Sequence, residues 1–455
     1  MEYTRKQRVT IMSVLVLACF ISSMTNSATS ISLPNIIATL GTTQALAQNL
    51  ISFYSICLGI VSACSAFLVN KFNTRPFFMT CVGLFCLASV GLTFSTNIWM
   101  ALAFKILQGL AAGSLTPMAT MVALAIYPAD RKGFGTSIIG MVMFASPALA
   151  PTIAGILLDN FTFRGVFAFI SIWSALVFVL AKFFLINVTK NGTVARPDVA
   201  SVALYAVGFS AFNVGMTNLS LYGAGNIRSM GLLILAVVLL AVFVVRNLKG
   251  EQPLLHLSLL KSRKYAICVF LACVVYLNMM LIEQMSQQYL QVIRGFAATK
   301  AGILTTCASI LVIVVNPLAG KFYDKKGGKP LCLIGFLAMT IGIAGLMCAG
   351  DWMPIPLVIL FYGIGNLANG WMLFPLSAYS TAGLPGDKVN HGVAIPNSFR
   401  LMFGAVMGNV IVQVAARCSA GDMIDLHGFT LAMTILLVII VIALLLVLFG
   451  LKKTD

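Results

Sequence analysis

Residues 431–451 read LAMTILLVIIVIALLLVLFGL, a run of mainly apolar residues without a single charge. A helix needs about 20 apolar residues to cross the hydrocarbon core of a bilayer. Gly231–Val245 has the same character, and similar runs recur along the 455 residues. The composition agrees, because 60% of the residues are hydrophobic and 9% are charged, whereas soluble domains are roughly 25% charged. The sequence therefore predicts an all-α polytopic protein embedded in the lipid bilayer.

Apolar runs separated by turn residues and charges predict fourteen membrane spans. They cover about residues 10–32, 49–70, 77–96, 99–126, 136–158, 165–187, 199–218, 229–247, 265–289, 301–320, 330–350, 355–383, 392–416 and 429–451.

Basic residues are unevenly distributed between the gaps that separate these spans. The formal net charge of +17 raises nucleic acid as a partner, but Lys and Arg fall in short gaps, as in cytoplasmic loops. Every second gap, starting with the N-terminal segment, is rich in Lys and Arg. The intervening gaps hold only Arg164, Arg228, Arg294, Lys300 and Arg417. We therefore expect a multi-pass protein of the cell membrane with both termini cytoplasmic, and no nucleic acid partner.

An internal repeat divides the chain. The loop after the second span (66–76) and the loop after the tenth (320–330) carry a small residue, an Asx residue, a base and an X-Pro pair at matching positions, 254 residues apart. The predicted architecture is 6 + 2 + 6: an N-terminal six-helix bundle at 1–187, two inserted helices with linkers at 188–264, and a C-terminal six-helix bundle at 265–455. Two parallel halves with the site between them are a known transporter design.

Six motifs in order resemble the major facilitator superfamily, specifically its fourteen-helix drug/proton antiporter branch. Lys105-Ile-Leu-Gln108-Gly109 is similar to the family's Arg-x-x-Gln-Gly signature, and residues 145–155 resemble its antiporter signature. The others lie at 320–330, at 163–167, at 288–291 with Ala301-Gly302, and at Arg400 with Gly404 and Gly408. The resemblance implies the major facilitator fold, with 14 transmembrane helices and transport by alternating access.

The resemblance also implies roles for the two repeated loops, which brace a gate in the family. The residues carried over as gating residues are Asn70, Arg75, Asp324, Lys325 and Lys329. In the first loop Asn70 replaces the family's Asp and so lacks the charge that strengthens a hydrogen bond to a helix N-terminus.

The antiporter signature suits a hinge or a seal between the halves. Proline bends a helix by removing a backbone hydrogen bond, and Pro147 and Pro151 both lie in the fifth span. Gly155 permits close packing against a neighbouring helix from the other half.

The first span departs from the branch at one position. Residues 25–34 resemble the signature Asp-x-Thr…Ala-Leu-Pro, but Thr25 stands where the proton-titrating Asp is expected. Proton coupling at that position is therefore in question.

Ionisable residues inside the bilayer are functional candidates, because isolated charge in hydrocarbon is costly. Glu283 is the only acid well inside a predicted span, and Gln287 and Gln291 follow on the same helix face. We expect Glu283 to carry protons. The alternatives are a ligand for a cationic substrate or an ion pair with Arg294.

Other polar residues inside spans are candidates for the substrate cavity, in addition to Gln287. Lys105 has a depth similar to that of Thr25 and Asn26, so we expect these residues to meet, although a lysine that extends to the headgroups is the alternative. Gln108 is a further cavity candidate. For the rest, cavity lining and interhelical bonding or bracing are equally favoured. These residues are Asn366, Asn369, Asn397 and Arg400.

The sequence contains no Gly-x4-Gly-Lys-Ser/Thr motif, so no nucleotide or other cofactor is expected. No cysteine and histidine cluster has metal-ligand spacing, and no catalytic cluster recurs, so an enzyme is disfavoured. The first hypothesis is a monomeric secondary transporter that exports amphipathic drugs in exchange for protons and so confers antibiotic resistance. The second is an exporter or facilitator of one metabolite or lipid with weak or no proton coupling, which Thr25 favours. A membrane-bound sensor or scaffold is the third.

Overall fold

The computed structural model describes residues 4–127, 132–188, 198–223, 226–249, 257–381, 389–419 and 423–451. Within these ranges all regular secondary structure is helical. The helices are α1 (Arg5–Leu40), α2 (Gln44–Lys71), α3 (Thr74–Thr93), α4 (Ile98–Ala112), α5 (Leu115–Ile126), α6 (Lys132–Phe184), α7 (Val199–Tyr222), α8 (Ile227–Lys249), α9 (Arg263–Gln288), α10 (Ala298–Lys326), α11 (Gly328–Met347), α12 (Ile355–Thr381), α13 (Val389–Cys418) and α14 (Leu426–Gly450). A 3-10 turn (Leu257–Lys261) precedes α9, and a π turn (Tyr289–Ile293) extends it.

The helix α6 contains two membrane spans. Its apolar part has 47 residues, about 70 Å of helix, which is more than twice the hydrocarbon thickness. The chain turns back at Thr162, whose φ is 62°. On one side of the turn Phe163 N–H donates to Asn35 near the end of α1. Lys182 lies at the other end of the second span of α6, and its carbonyl accepts a hydrogen bond from Arg75 at the start of α3.

The predicted number of spans is confirmed. In the described ranges twelve helical segments are long and apolar enough to cross a membrane. One of these is the double span of α6, and α10 contributes the shorter apolar helix Ala298–Val312. These segments together supply the fourteen spans.

Two helices differ in detail from the predicted spans. The first span was expected to end at residue 32, but α1 continues through Pro34 to Gly41, which caps it with φ 60°. Proline removes only one hydrogen bond, so the helix continues beyond it. The fourth span is divided into α4 and α5 at Gly113, where a side chain would lie 2.6 Å from Val61 Cβ of α2.

The fourteen spans form two groups of six and an inserted pair. Contacts of α1 with α9, α2 with α13 and α6 with α10 join the two groups. The inserted helices α7 and α8 pack on each other, and α7 also contacts α2 and α13. The domain limits 1–187, 188–264 and 265–455 stay predictions, because the connecting residues 189–197 and 250–256 lie outside the described ranges.

Hydrogen bonds join the two groups toward one side of the membrane. We call the face at which α1 begins the starting face, and the other the opposite face. Gln291 Nε2 donates to the Ile31 carbonyl at 3.4 Å, and Gln413 Nε2 donates to the Ala45 carbonyl at 2.9 Å. Both bonds lie toward the opposite face, so the described interface is closed there.

Candidate functional site

A cavity lies between the two halves and is built by both of them. About 380 Å³ of space between its walls holds no protein atoms, and part of that space is open to solvent. Its walls are Pro147 and Ala148 of α6, and Met279, Glu283, Ser309, Val312, Tyr362, Asn366 and Asn369 of α9, α10 and α12. The antiporter signature thus faces the candidate proton carrier across the cavity.

Glu283 is buried with 8% of its surface exposed. Its Oε1 atom has no hydrogen-bond partner among the described residues. The side chain of Ser27 in α1 lies within hydrogen-bond reach of the carboxyl group. Arg294 does not neutralise the acid, because it donates to the Tyr289 hydroxyl at 3.1 Å and to the Met353 carbonyl at 3.0 Å. The carboxyl group can therefore receive a proton or a ligand donor.

The amides of α12 form a connected polar wall beside this acid. Asn366 Nδ2 donates to Ser309 Oγ at 2.9 Å and to the Tyr362 hydroxyl at 3.3 Å. Asn369 Nδ2 donates to Asn366 Oδ1 at 3.3 Å, and Asn278 Nδ2 donates to Asn369 Oδ1 at 2.9 Å. Asn366 and Asn369 therefore bond to neighbouring helices and line the cavity at the same time. A ligand would meet hydroxyl and amide groups whose orientation is already set.

Lys105 belongs to a separate, closed network in the N-terminal half. It is fully buried, with its Nζ 2.7 Å from Thr29 Oγ1 and 2.9 Å from Gln108 Oε1. Gln108 Nε2 in turn donates to Ser89 Oγ at 2.8 Å, and the Tyr54 ring lies 4.6 Å from Nζ. Lys105 does not extend to the headgroups, and neither it nor Gln108 lines the cavity described above.

Lys105 reaches the neighbourhood of Thr25 on α1, but its partner there is Thr29 and not Thr25 itself. Thr25 Oγ1 donates to the Ile21 carbonyl of its own helix at 2.7 Å. Thr29 lies one helical turn further along and takes the expected place, because the register between α1 and α4 is set by tertiary packing. Asn26 is directed to the other half, where its Nδ2 lies 3.3 Å from Met280 Sδ.

The remaining candidates are not among the residues that line the cavity. Gln287 Nε2 donates to Thr305 Oγ1 at 2.6 Å and so joins α9 to α10. The Arg400 guanidinium lies 5.8 Å from the centre of the Tyr276 ring, and Asn397 is half-buried one turn earlier. The fold brings Glu283, Asn366 and Asn369 together in the wall of one cavity, which neither Lys105 nor Arg400 lines.

Five cavity residues were missed in the sequence: Ala148, Met279, Ser309, Val312 and Tyr362. Tyr362 stands four residues before Asn366 and therefore on the same helix face, which was a usable signal. Ser309 and Met279 carry no such signal, because hydroxyl and thioether side chains are common in membrane helices. In the ranges that the structure describes, no group of three or more His, Cys, Asp or Glu side chains could hold a metal ion.

The antiporter signature packs against α10 through glycines on both helices. A Cβ atom on Gly155 would lie 2.5 Å from the Ala298 carbonyl oxygen. A Cβ atom on Gly302 would overlap the Pro151 carbonyl. The two backbones therefore touch directly, as small residues permit in membranes.

Asp159 closes this contact at the opposite face. Its two carboxylate oxygens accept from Ala298 N–H at 3.0 Å and from Thr299 N–H at 2.8 Å. The N-cap residue of α10 is Ala297, which has no side-chain oxygen. An acid from the N-terminal half therefore caps a helix of the C-terminal half.

Asp159→Ala is expected to lower the free energy of unfolding by about 1 kcal/mol, because two N–H groups lose their acceptor. Unfolding in mixed micelles by a denaturing detergent measures the change. Asp159→Asn keeps one acceptor oxygen and should lose less. Equal losses in the two variants would contradict a capping role.

The repeated loops bind the last helix of their own half. Arg75 donates to the Lys182 carbonyl at the end of α6, and Lys329 Nζ donates to the Leu448 carbonyl at 3.0 Å and the Leu451 carbonyl at 2.6 Å. A cation at a helix C-terminus is favourable. The two bases stand 254 residues apart, so the repeat has a shared physical role. Lys325 is exposed, and the side chains of Asn70 and Asp324 lie outside those described.

Lys329→Ala is expected to lower the free energy of unfolding by about 0.5–1 kcal/mol, because two carbonyls at the end of α14 lose a cationic donor. The exposed Lys325 provides a matched control, and Lys325→Ala should change stability by less than about 0.5 kcal/mol. Detergent unfolding of both variants decides the matter. A larger loss in Lys325→Ala would refute the capping interpretation.

Two six-helix groups around a shared cavity, with a helix pair inserted between them, define a polytopic membrane transporter. The sequence profile of the Major Facilitator Superfamily matches residues 15–409. The chain belongs to this superfamily, whose members are transporters.

Relatives of similar length support this assignment. The MFS-type transporter YcnB of Bacillus subtilis, itself described as uncharacterized, is 25% identical over 98% of this chain and 96% of that protein. The lincomycin resistance protein LmrB of Bacillus subtilis is 28% identical over 89% of this chain and 85% of its own. The multidrug export protein EmrB of Escherichia coli is 23% identical over 86% and 77%.

Solved structures share the fold at low sequence identity. A POT family transporter in complex with 5-aminolevulinic acid has a TM-score of 0.69 at 16% identity, covering 97% of this chain and 96% of that chain. The xylose transporter XylE from E. coli, in a partially occluded inward open conformation, has a TM-score of 0.64 at 14% identity, covering 97% of each chain. These likenesses concern the fold alone.

Proposed function

We propose that this protein is a secondary active transporter that exports amphipathic, drug-like compounds in exchange for protons. It belongs in this proposal to the fourteen-helix drug/proton antiporter branch. One observation carries the proposal: Glu283, the one acid among the buried side chains that the structure describes, lines a cavity between the halves together with Pro147 of the antiporter signature.

Relatives support the substrate class. LmrB is named for lincomycin resistance and EmrB for multidrug export, and this chain matches 85% and 77% of their lengths. The cavity wall combines Met279 and Val312 with the polar groups of Asn366 and Tyr362. Such a mixed surface suits ligands that have both apolar and polar parts.

The proposed cycle places both termini in the cytoplasm, so that the opposite face is extracellular. With that face closed, a substrate reaches the cavity from the cytoplasmic side. Opening of the opposite face releases it and lets a proton bind Glu283. The halves then close again at the opposite face. Burying Glu283 during this step costs less when the acid is protonated and neutral than when it is a carboxylate. The proton leaves on the cytoplasmic side. The protein works as a monomer, because each chain holds a complete cavity.

The test is transport in proteoliposomes that contain the purified protein, with and without an imposed pH gradient. A panel of amphipathic compounds is offered, and empty liposomes give the background. The proposal expects uptake that depends on the gradient, together with proton movement when substrate is added. Uptake that ignores the gradient would overturn the coupling, and an absence of uptake for every compound would overturn the drug class.

A second candidate function has one observation in its favour. Thr25 replaces the acid expected in the first span, and its hydroxyl is bonded to its own helix. An exporter or facilitator of one metabolite or lipid, with weak or no proton coupling, would not need that acid. This second function predicts saturable transport of a single compound in proteoliposomes, with no dependence on the pH gradient.

A further inference from the structure

A cluster of buried amide and hydroxyl groups joins the inserted helix α7 to both halves. We call it the asparagine clamp: Asn49 of α2, Asn213 and Thr217 of α7, and Asn409 and Gln413 of α13. Each of these residues has 5% or less of its surface exposed. The cluster lies toward the opposite face, since it is near the start of α2 and the end of α13.

Hydrogen bonds run through the clamp from one half to the other. Asn49 Oδ1 accepts from Asn213 Nδ2 at 2.8 Å and from Thr217 Oγ1 at 3.0 Å. Asn213 Oδ1 accepts from Asn409 Nδ2. Gln413 Nε2 donates to Asn409 Oδ1 at 3.1 Å and to the Ala45 carbonyl of α2 at 2.9 Å. The chain of bonds therefore starts and ends on α2 and passes through α7 and α13.

The clamp is not needed merely to place α7 in the membrane. Apolar side chains suffice for that, as on α8, where Ile234, Val237 and Val238 are more than half exposed. Polar groups inside the bilayer are tolerated only when partners are supplied, so a cluster of them fixes a particular arrangement of helices. Here that arrangement holds α2 and α13 together.

We propose that α7 is a working part of the gate at the opposite face. In alternating access α2 and α13 must separate there when the cavity opens to that face. The clamp then loses its bonds on one side of α7, and buried amides are left without partners. The inserted helices therefore set how readily the gate opens, independently of which substrate or ion the cavity takes.

The two inserted helices are also joined at the starting face. At the starting face Arg246 of α8 pairs with Asp198, which precedes α7, at 2.6 Å. The guanidinium holds the pKa of the Asp198 carboxyl below its usual range. The pair therefore keeps α7 and α8 together while the clamp fixes the other end of α7.

Hydrogen–deuterium exchange of the full-length protein in nanodiscs tests the proposal without any substrate or pH gradient. Asn213→Leu is expected to raise the rate of deuterium uptake about tenfold in residues 44–52 and 409–418. The reason is that the loss of two or three net hydrogen bonds shifts the opening equilibrium by that factor or more. Uptake in 331–346, within the core of the C-terminal half, should not change. Asn409→Leu should act in the same way, and the double variant should add little.

Asn247→Leu is the matched control, because Asn247 is a buried amide outside the clamp, and its described hydrogen bonds run to Ser201 and Phe243 of the inserted pair. It should leave uptake in 44–52 and 409–418 unchanged. If Asn213→Leu does not fold, Asn49→Ala removes the acceptor on α2 with a smaller change. Unchanged uptake in a correctly folded clamp variant, or an equal rise in Asn247→Leu, would overturn the proposal. A failure of proton coupling would leave this result untouched.

Discussion

Transport driven by a pH gradient is expected to fall to the level of empty liposomes in Glu283→Gln. Glutamine has the size and much of the hydrogen-bonding capacity of the acid, but it cannot take up and release a proton. Glu283 is the acid that lines the cavity, and its Oε1 atom has no partner among the described residues. A pH-sensitive dye inside proteoliposomes measures proton movement when substrate is added.

Two controls make this result specific. Asp351→Asn removes an exposed acid between α11 and α12 and should leave coupling unchanged. Substrate binding to Glu283→Gln, measured at equilibrium without a gradient, separates loss of coupling from loss of the cavity. Proton movement that persists in Glu283→Gln would show that another group carries the proton.

Gly302→Ala is expected to reduce transport about tenfold or more. A Cβ atom at this position would overlap the Pro151 carbonyl, so α10 and α6 could not approach as closely as they do. Overpacking of this kind costs about 1–3 kcal/mol, and here the cost falls on the state that is closed at the opposite face. A change of about 1.4 kcal/mol shifts the balance of two states tenfold.

The same helix offers a matched control for this substitution. Gly320 of α10 has no described atom within 4 Å of the position of an added Cβ, so Gly320→Ala should leave transport close to normal. Initial rates in proteoliposomes with equal amounts of protein compare the two variants. Similar rates for both would mean that close approach at Gly302 is not needed for the cycle.

Most of the fold could be predicted from the sequence because a bilayer restricts what can cross it. Long apolar runs can only be spanning helices, so the number of spans and the 6 + 2 + 6 order follow from hydropathy and the repeat. The turn at Thr162 lies in the gap predicted between the fifth and sixth spans, but the break at Gly113 could not be predicted. That break depends on close packing against α2, which single-residue preferences do not encode.

The candidate site was harder to predict than the fold. The depth of Lys105 along its helix predicted that it lies near the polar residues of the first span. Its partner is Thr29 and not Thr25 because of the rotation of the two helices about their axes, which the sequence does not show. Rotation also separated Lys105 from Glu283, which lines the cavity. The clamp was missed because Asn49 and Asn213 stand 164 residues apart, and each alone resembles an ordinary polar residue in a span.

The buried lysine also bears on how the chain enters the membrane during synthesis. Thr29 precedes Lys105 by 76 residues, and Gln108 follows it by 3. Both partners therefore leave the ribosome before or together with α4, while the entire C-terminal half is still unmade. A cation that would be costly alone in lipid thus finds its acceptors at once. The N-terminal bundle is accordingly suited to insert and assemble co-translationally, ahead of the half with which it later encloses the cavity.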